Sequence, residues 1–467
     1  MFERVRQLVL GRFARDTAAT QAGLIASAAC ALGTSIILAR GLVGQAEYGR
    51  YALVFALYGL VNILGDMGLG KASISGVAEA RGAQDRAAFV GQVAYLMKMT
   101  VVIGVAVTVI GLLFAPALAR LMTPALGIGP YARVLFLTSL LGMGRVFAAT
   151  LLAGMRRMRT LAAFDVSFAV LRLAAVGAAI GAGFGLWGVV GAHVGTTLVV
   201  SLLGVGIYRR HARRDEALPP LKELSREAVR APWWRTFKLG AQVTLDRQLL
   251  KLIEVVPVLL LGRLAASAEP AGYFNLARNI MRNLGLAFLG LSKSLLPFFA
   301  ELKARRQLAR MRRDYTRAVI ASGAAAVVLA AVCVPLLPVV LGFFYGKAWA
   351  AAATGVAYVL LGKLVMDGFC VGLGALVVVS GKVLWSARLK LASLPLGVGA
   401  LVGGALAGRS WHSDPLVGAA VGATAAYAVW WIALLLVQLA ASFRMLDALA
   451  VEKAAAEIEA PQPEMDS

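Results

Sequence analysis

Long apolar runs alternate with short polar stretches along almost the whole chain. Twelve of these runs are long enough to cross a bilayer as α-helices, because a hydrocarbon core about 30 Å thick needs roughly 20 residues at about 1.5 Å each. The predicted spans lie at about 17–39, 48–69, 90–119, 131–153, 163–183, 187–208, 237–262, 271–300, 318–344, 354–379, 387–408 and 415–440. The pattern predicts an all-α polytopic membrane protein with twelve transmembrane helices.

The composition supports this class. Of the 467 residues, 60% are hydrophobic, and the mean hydropathy of +0.78 is too high for a soluble domain of this length. Cys30, Cys333 and Cys370 all fall in predicted spans without metal-ligand spacing, and the three histidines are scattered. We therefore expect no disulfide framework, no metal and no cofactor.

The net charge of +23 has a topological interpretation. With the N-terminus inside, and residues at span ends counted with the adjoining loop, inside segments hold 31 of the 47 Lys and Arg residues; outside loops hold seven and spans hold nine. Lys and Arg collect in cytoplasmic loops of membrane proteins. We therefore expect two cytoplasmic termini, anionic phospholipids at the cytoplasmic face and no nucleic-acid partner.

A polar segment at 209–236 divides the spans into two sets of six. The sequence predicts an N-terminal lobe at 1–208, a cytoplasmic or interfacial linker at 209–236 and a C-terminal lobe at 237–440. The remaining 441–467 is predicted to be a cytoplasmic tail. Its end contains Glu and Pro with few apolar residues, so we expect it to be disordered.

The two lobes are predicted to be a parallel repeat. Leu38, Glu47 and Tyr51 match Leu260, Glu269 and Tyr273 at one offset of 222 residues. An even number of spans per half preserves the orientation, which places the two lobes around an axis along the membrane normal, with the substrate site between them.

Charged residues within predicted spans 237–262 and 271–300 indicate a polar interior at the centre of the protein. A charge at bilayer depth costs roughly 2.5–3.5 kcal/mol, so these side chains are not expected to face lipid. At about 100° per residue, the basic residues of each span share one helix face. The set is Asp246, Arg247, Lys251, Glu254, Arg278, Arg282 and Lys293, with Asn275 on the same face as the last three. The pattern predicts a wet central cavity lined mostly by positive charge.

Several of these charges have a second interpretation. Arg278 and Arg282 have no acid on their own helix, which favours an anion site over pairing with Asp246 or Glu254. Asp246, Glu254 and Asp367 are the expected ion-coupling sites. However, Lys363 precedes Asp367 by four residues, which favours mutual neutralisation. Asp165 and Arg172, seven residues apart, are explained in the same way, as a pair whose charges neutralise each other.

Span 48–69 carries a polar and aromatic stripe. Tyr51, Phe55, Tyr58, Asn62 and Asp66 recur on one helical face. Such a face stacks on sugars and binds their hydroxyl groups. An ordinary seam between helices is the alternative.

No enzyme activity is predicted. The outer loops are short, at roughly ten residues, which leaves no room for a catalytic domain. Gly65–Ala72 and Gly183–Gly188 approach phosphate-binding motifs, but they lie at the ends of membrane helices and not between a strand and a helix. We therefore expect no catalytic residue.

Three short stretches resemble the N-terminal pattern of a transporter family: Ile37–Leu42, Glu47–Ala52 and Asp66–Leu69. The family is that of the polysaccharide-transport flippases, which carry O-antigen or other lipid-linked oligosaccharides within the multidrug/oligosaccharidyl-lipid/polysaccharide superfamily. The chain also resembles these proteins in its length, its six-plus-six spans and its basic stretch at Gly154–Arg159.

The resemblance implies a V-shaped, two-lobed transporter with a cationic central cavity. Such a protein moves an undecaprenyl-pyrophosphate-linked oligosaccharide from the inner to the outer leaflet of the bacterial cytoplasmic membrane, by alternating access, for lipopolysaccharide or exopolysaccharide synthesis. We expect the lipid-linked glycan and polysaccharide polymerase or assembly proteins as partners. The alternatives are a multidrug or cation exporter of the same superfamily and a non-transporting component of a glycan-synthesis complex. Nine basic against about five acidic residues within the spans disfavour the exporter.

The resemblance assigns no site residues, so the candidate set comes from the helical faces. The expected ligands of the anionic headgroup are Arg278, Arg282, Lys293, Arg247 and Lys251. The expected sugar ligands are Tyr51, Tyr58, Asn62 and Asn275.

Overall fold

The computed structural model describes residues 12–63, 65, 71–123, 126–231, 234–265, 267–305 and 307–459. These residues form sixteen α-helices, and no strand occurs among them. Eight of the described helices are long and apolar enough to cross a membrane, or nine if one bent pair is a single span. The predicted class, an all-α polytopic membrane protein, is confirmed.

The first six predicted spans fall on helices. The helices of this part are α1 (Arg12–Gly41), α2 (Gly44–Asn62), α3 (Lys71–Gly82), α4 (Arg86–Met122), α5 (Gly129–Leu141), α6 (Met143–Gly154), α7 (Met158–Gly181) and α8 (Gly185–Ala212). Helix α2 ends seven residues before the predicted end of its span at 69. Helix α3 occupies a stretch that the apolar pattern assigns to a loop, because its composition is only weakly apolar.

The predicted spans of the second half also fall on helices. Its helices are α9 (Leu221–Arg230), α10 (Trp234–Leu264), α11 (Glu269–Ala304), α12 (Leu308–Tyr345), α13 (Lys347–Phe369), α14 (Leu373–Val379), α15 (Val383–Trp411) and α16 (Pro415–Glu459). The span predicted at 354–379 falls on two helices, α13 and α14. Helix α16 continues to Glu459, through part of the segment for which the composition predicts disorder, and 460–467 lie outside the described residues.

Helix α9 lies in the predicted linker and is anchored to α4. Its apolar side chains Leu224 and Ala228 are buried in a cluster with residues of α4. The Lys98 Nζ of α4 donates hydrogen bonds to the carbonyl oxygens of Val229 and Ala231, at 3.0 and 2.9 Å. These carbonyls end the helix and have no partner within it, so a cation there is favourable. The linker is therefore held through its own helix.

The chain divides into two compact units within α11. The first contains the described residues up to Leu276, together with 344–346. The second contains 277–343 and the described residues from Lys347 onward. This division follows internal contacts, whereas the predicted lobes 1–208 and 237–440 follow the repeat, and those lobes stay a prediction.

Each unit has its own aromatic core. In the first, Phe89 and Tyr95 of α4 pack with Phe147 and Tyr208. In the second, Phe299 and Tyr315 pack beside Leu446, and the Tyr315 hydroxyl lies 3.0 Å from the Ser442 Oγ. This hydrogen bond removes most of the cost of burying the Tyr315 hydroxyl.

Candidate functional site

A cavity of about 380 Å³ lies inside the first unit. Side chains of α2, α4, α5, α6, α7 and α8 line it. Its polar and aromatic members are Phe55, Tyr58, Asn62, Thr100, Thr138, Ser139, Arg145, Phe168, Arg172, His193 and Thr197. Among the described lining residues the charged ones are two arginines, and none is a carboxylate. The cavity therefore carries a basic wall.

The two arginines meet at one aromatic ring. The guanidinium carbon of Arg145 lies 4.4 Å from the centroid of the Phe168 ring, and that of Arg172 lies 5.3 Å from the same centroid. Attraction to the ring's negative face holds each cation. The Arg145 Nη1 also lies 3.7 Å from the Asp165 Oδ1, which makes an ion pair without a close hydrogen bond. Two positive charges thus face one negative charge.

Two polar atoms at this wall are buried and unsatisfied. The Nε of Arg172 and the Nε2 of His193 have no hydrogen-bond partner among the described residues. The His193 ring packs against Phe55, with ring centroids 4.5 Å apart. A buried polar atom without a partner costs roughly 1–3 kcal/mol. A ligand that supplies an acceptor to the Arg172 Nε would recover that cost.

Hydroxyl and amide groups occupy the part of the wall formed by α2 and α5. The Tyr58 hydroxyl accepts from the Asn62 Nδ2 and from the Ser139 Oγ, both at 3.5 Å. Bonds this long are weak, so these groups can exchange them for bonds to a ligand. The Tyr58 ring itself is fixed against Phe136, at 5.4 Å between centroids.

A break between α5 and α6 gives Arg145 its position. The two helices bend by 44° at Gly142. A Cβ added at Gly142 would lie 2.6 Å from the carbonyl oxygen of Thr138, so only glycine fits without a shift. The backbone N–H of Arg145 donates to the Ser201 Oγ at 3.3 Å, which satisfies a free donor in the first turn of α6.

The polar stripe predicted on span 48–69 reaches this cavity in part. Phe55, Tyr58 and Asn62 line it, as expected for one helical face. Tyr51 instead packs between other rings, at 5.7 Å from Tyr48 and 4.6 Å from Phe55. Asp66 lies outside the described residues.

The remaining predicted sugar ligand, Asn275, lies elsewhere. It belongs to α11, and its side chain is only 6% exposed. The structure thus brings Tyr58 and Asn62 together and leaves Tyr51 and Asn275 apart from the cavity. The role of all four residues in sugar binding stays a prediction.

The predicted headgroup ligands lie on α10 and α11. Arg247 is exposed and Lys251 half-buried, both on α10 in the first unit. Arg278 is half-buried and Arg282 exposed, both on α11 in the second unit. Lys293 also lies on α11, and its side chain is outside the described part. Their assembly into one anion site stays a prediction.

The acids expected to couple an ion differ in their surroundings. Asp246 is half-buried and Glu254 exposed on α10. Both oxygens of Asp367 are engaged: Oδ2 accepts from the Lys363 Nζ and Oδ1 from the Trp431 Nε1, each at 2.7 Å. The pair Lys363–Asp367 is therefore formed as the spacing indicates.

The expected pairing of Asp165 with Arg172 does not occur in the described structure. Asp165 pairs with Arg145 of α6 instead. Seven residues on a helix correspond to a rise of about 10.5 Å, so a side chain from a neighbouring helix competes easily for the carboxylate. Within the described ranges, no cluster of three or more His, Cys, Asp or Glu side chains could hold a metal ion.

Sequence reasoning missed the basic wall as a site. Arg145 and Arg172 are among the nine basic residues counted within the predicted spans, and Arg172 is otherwise considered only as a partner of Asp165. His193 and Phe168 carry no signal in the sequence. An intramembrane arginine is itself a signal of function. Which arginines converge depends on how α6, α7 and α8 pack, and the apolar pattern does not encode that.

Comparisons with known proteins agree with this architecture. A family model described as a polysaccharide biosynthesis protein matches residues 13–303. No curated protein matches the chain. Several solved membrane transporters share its fold at low identity, so they support the fold alone.

A multidrug resistance MATE family transporter of the MOP superfamily, in an inward-facing conformation, is 18% identical with a TM-score of 0.70, over 90% of this chain and 95% of its own. MATE in complex with MaD5 is 18% identical with a TM-score of 0.65, over 93% and 95%. A MOP superfamily transporter from Pyrococcus furiosus, described as having a binding pocket of reverse polarity that suggests a different function, is 16% identical with a TM-score of 0.60, over 93% and 95%.

The family model covers more than half of the 467 residues, and the fold is that of a MOP superfamily transporter. The resemblance found in the N-terminal motif is confirmed. The chain belongs to the polysaccharide biosynthesis protein family and is a multi-pass membrane protein with the fold of MOP superfamily transporters.

Proposed function

We propose that the protein is a flippase for an undecaprenyl-pyrophosphate-linked oligosaccharide, which it moves from the inner to the outer leaflet of the bacterial cytoplasmic membrane. Its family and its transporter fold support this role. The observation that carries the proposal is the basic wall of the cavity, where Arg145 and Arg172 are the charged lining residues among those described. A transporter with such a wall selects anionic or polar cargo.

A multidrug or cation exporter is the second candidate, because solved structures with this fold include multidrug resistance transporters. A cation site needs carboxylates to offset the cost of removing the cation from water. The described lining residues provide arginines in their place. The Pyrococcus furiosus transporter, for which pocket polarity suggested a different function, is a precedent for using pocket charge in this way.

The proposed mechanism assigns one task to each part of the substrate. The pyrophosphate forms charge-assisted hydrogen bonds with Arg278 and Arg282, with Arg247, Lys251 and Lys293 adding positive charge. Tyr58 and Asn62 contact the sugars. The lipid tail stays in the bilayer while the two lobes open alternately to either side.

The membrane potential contributes to the direction of transport. An inside-negative potential favours outward movement of an anion by about 2.3 kcal/mol per charge per 100 mV. A pyrophosphate that links a lipid to a sugar carries two negative charges. Both termini are proposed to be cytoplasmic, so the basic inner loops contact anionic phospholipids, and polysaccharide polymerase or assembly proteins receive the product outside.

Translocation of a fluorescent lipid-linked oligosaccharide in proteoliposomes tests this proposal. A membrane-impermeant quencher reports the fraction of substrate in the outer leaflet. The double variant Arg278→Ala/Arg282→Ala should translocate at least about tenfold more slowly, because two charge-assisted bonds are lost. Arg313→Ala, an exposed arginine of α12, removes a charge elsewhere and should leave the rate unchanged.

Two outcomes contradict parts of the account. Equal rates for wild type and the double variant would reject the headgroup site at Arg278 and Arg282. No translocation by the wild-type protein, with a substrate taken from its own host, would reject the flippase.

A further inference from the structure

We propose that the cavity of the first unit binds one acidic sugar residue of the carried glycan, with Arg172 as the principal ligand of its carboxylate. That the ligand is a sugar rests on the proposed function. That the site binds a single anionic group rests on the geometry of the basic wall alone.

Among the residues that the structure describes, the charge at this wall is not balanced. Asp165 lies within 4 Å of Arg145 and forms the ion pair described above. Arg172, in the middle of α7, has no carboxylate within this distance among the described residues. A surplus cation inside a membrane helix bundle is costly unless it is neutralised. One monovalent anion brings the net charge of the wall to zero, whereas a doubly charged group makes it negative.

The shape of Arg172 favours a carboxylate. Its Nε is buried and lacks an acceptor, and its guanidinium is held over the Phe168 ring. A guanidinium presents Nε–H and Nη–H donors in a planar fork that matches the two oxygens of a carboxylate. A carboxylate in this position would satisfy the orphaned Nε and the surplus charge together.

The rest of the cavity suits a sugar ring. Tyr58, Asn62 and Ser139 are joined only by bonds of 3.5 Å and can turn toward ligand hydroxyl groups. The rings of Phe55 and Phe168 supply apolar faces. The volume of about 380 Å³ lies near the lower limit of small-molecule pockets, which run from roughly 300 to 1,000 Å³. The cavity therefore accommodates a single acidic sugar residue and not a whole oligosaccharide.

Asp165 acts as an internal counter-ion to Arg145 and limits how strongly the basic wall attracts an anionic ligand. It neutralises Arg145 through a long contact of 3.7 Å, and its side chain is 47% exposed. Removing its charge makes Arg145 available to the ligand. We therefore expect Asp165→Asn to bind a carboxylate more tightly and to accept a second negative charge.

Ligand-observed NMR on the purified full-length protein in detergent tests the site without transport. The probes are glucuronate, which has ring and charge, glucose, which has the ring alone, and acetate, which has the charge alone. Wild type should bind glucuronate at least about tenfold more tightly than either of the other two, because it satisfies both parts of the cavity. Asp165→Asn should bind glucuronate several-fold more tightly.

Arg172→Ala should weaken glucuronate binding at least about tenfold, in line with the loss of a charge-assisted pair. Arg172→Lys keeps the positive charge and loses the planar pair of donors, so its affinity for glucuronate should lie between those of the wild type and of Arg172→Ala. Arg120→Ala is the matched control, because Arg120 is an exposed arginine bonded to the Pro116 carbonyl of its own helix. Melting temperatures in detergent identify any variant that fails to fold, and Arg172→Lys then carries the comparison.

Glucuronate binding that is absent, or unaffected by Arg172→Ala and Arg172→Lys, would overturn the proposal. Acetate binding as tight as glucuronate binding would reject the sugar and leave a simple anion site. Loss of glucuronate binding with intact glycolipid translocation contradicts this inference alone. The reverse result would keep the acidic-sugar site and reject the flippase.

Discussion

Asp367 is held by donors from two different helices. Lys363, one turn earlier on α13, donates to one carboxylate oxygen, and Trp431 of α16 donates to the other. The Lys363 ammonium also lies 4.5 Å from the centroid of the Trp431 ring. The three groups satisfy one another and tie α13 to α16. An ion that coupled at Asp367 would have to break one of these bonds.

Removing both charges of this cluster should cost less than the sum of the costs of removing each charge alone. Lys363→Met and Asp367→Leu should each lower the free energy of unfolding by about 1.5–3 kcal/mol, because each leaves a charged partner without its hydrogen bond. The double variant should lose less than the sum of the two. Thermal denaturation in detergent measures the effect, with the exposed Lys347→Met as control. Strictly additive losses would show that the pair contributes nothing.

Local and distant pairings differ in how far the sequence predicts them. Lys363 and Asp367 are four residues apart on one helix, so their contact follows from helix geometry alone. The partner of Asp165 does not, because Arg145 reaches it from a neighbouring helix. The same reason explains why the stripe on α2 was predicted, whereas the arginines opposite it were not.

Helices α15 and α16 cross at glycines. A Cβ added at Gly408 would overlap the carbonyl oxygen of Gly418, and one added at Gly404 would overlap that of Gly422. Small residues four apart allow two backbones to approach this closely, and van der Waals packing is the main attraction between helices in a membrane. This crossing is a structural element of the second unit.

A larger side chain at this crossing should separate the two helices. Gly408→Val should lower the free energy of unfolding by at least about 1–3 kcal/mol, since the overlapping atom is backbone and cannot turn away. Gly403→Val is the matched control on the same helix, because no atom lies within 4 Å of a Cβ there. Melting temperature and yield of folded protein in detergent report the difference. Equal behaviour of the two variants would contradict the crossing.

The sequence contains several pairs of glycines four residues apart and does not show which of them meet. Gly404/Gly408 and Gly418/Gly422 face each other, whereas Cβ atoms at Gly191 and Gly195 would contact nothing within 4 Å. Breaks within helices are hidden for a similar reason. The apolar run continues through Gly142, so hydropathy indicates one span where the structure bends by 44°.

At the scale of the whole molecule, the sequence predicts best which segments are long and apolar enough to cross a bilayer. Each of the twelve predicted spans falls on a helix or on a broken pair, because crossing a hydrocarbon core fixes both length and apolarity. Within the described residues, the helices at predicted spans 48–69, 237–262 and 271–300 are not among those long and apolar enough to cross by composition. The last two of these spans carry the charges from which a polar interior was predicted. The orientation of the termini stays a prediction from charge asymmetry.

The most direct measurement compares two cargoes in the same proteoliposomes under an imposed membrane potential. We expect the wild-type protein to translocate the pyrophosphate-linked oligosaccharide. Translocation should be faster when the potential is negative on the side where the substrate starts, because the potential adds about 2.3 kcal/mol of driving force per charge per 100 mV. We expect no transport of an organic cation. Cation transport without glycolipid translocation would contradict the flippase and favour the exporter.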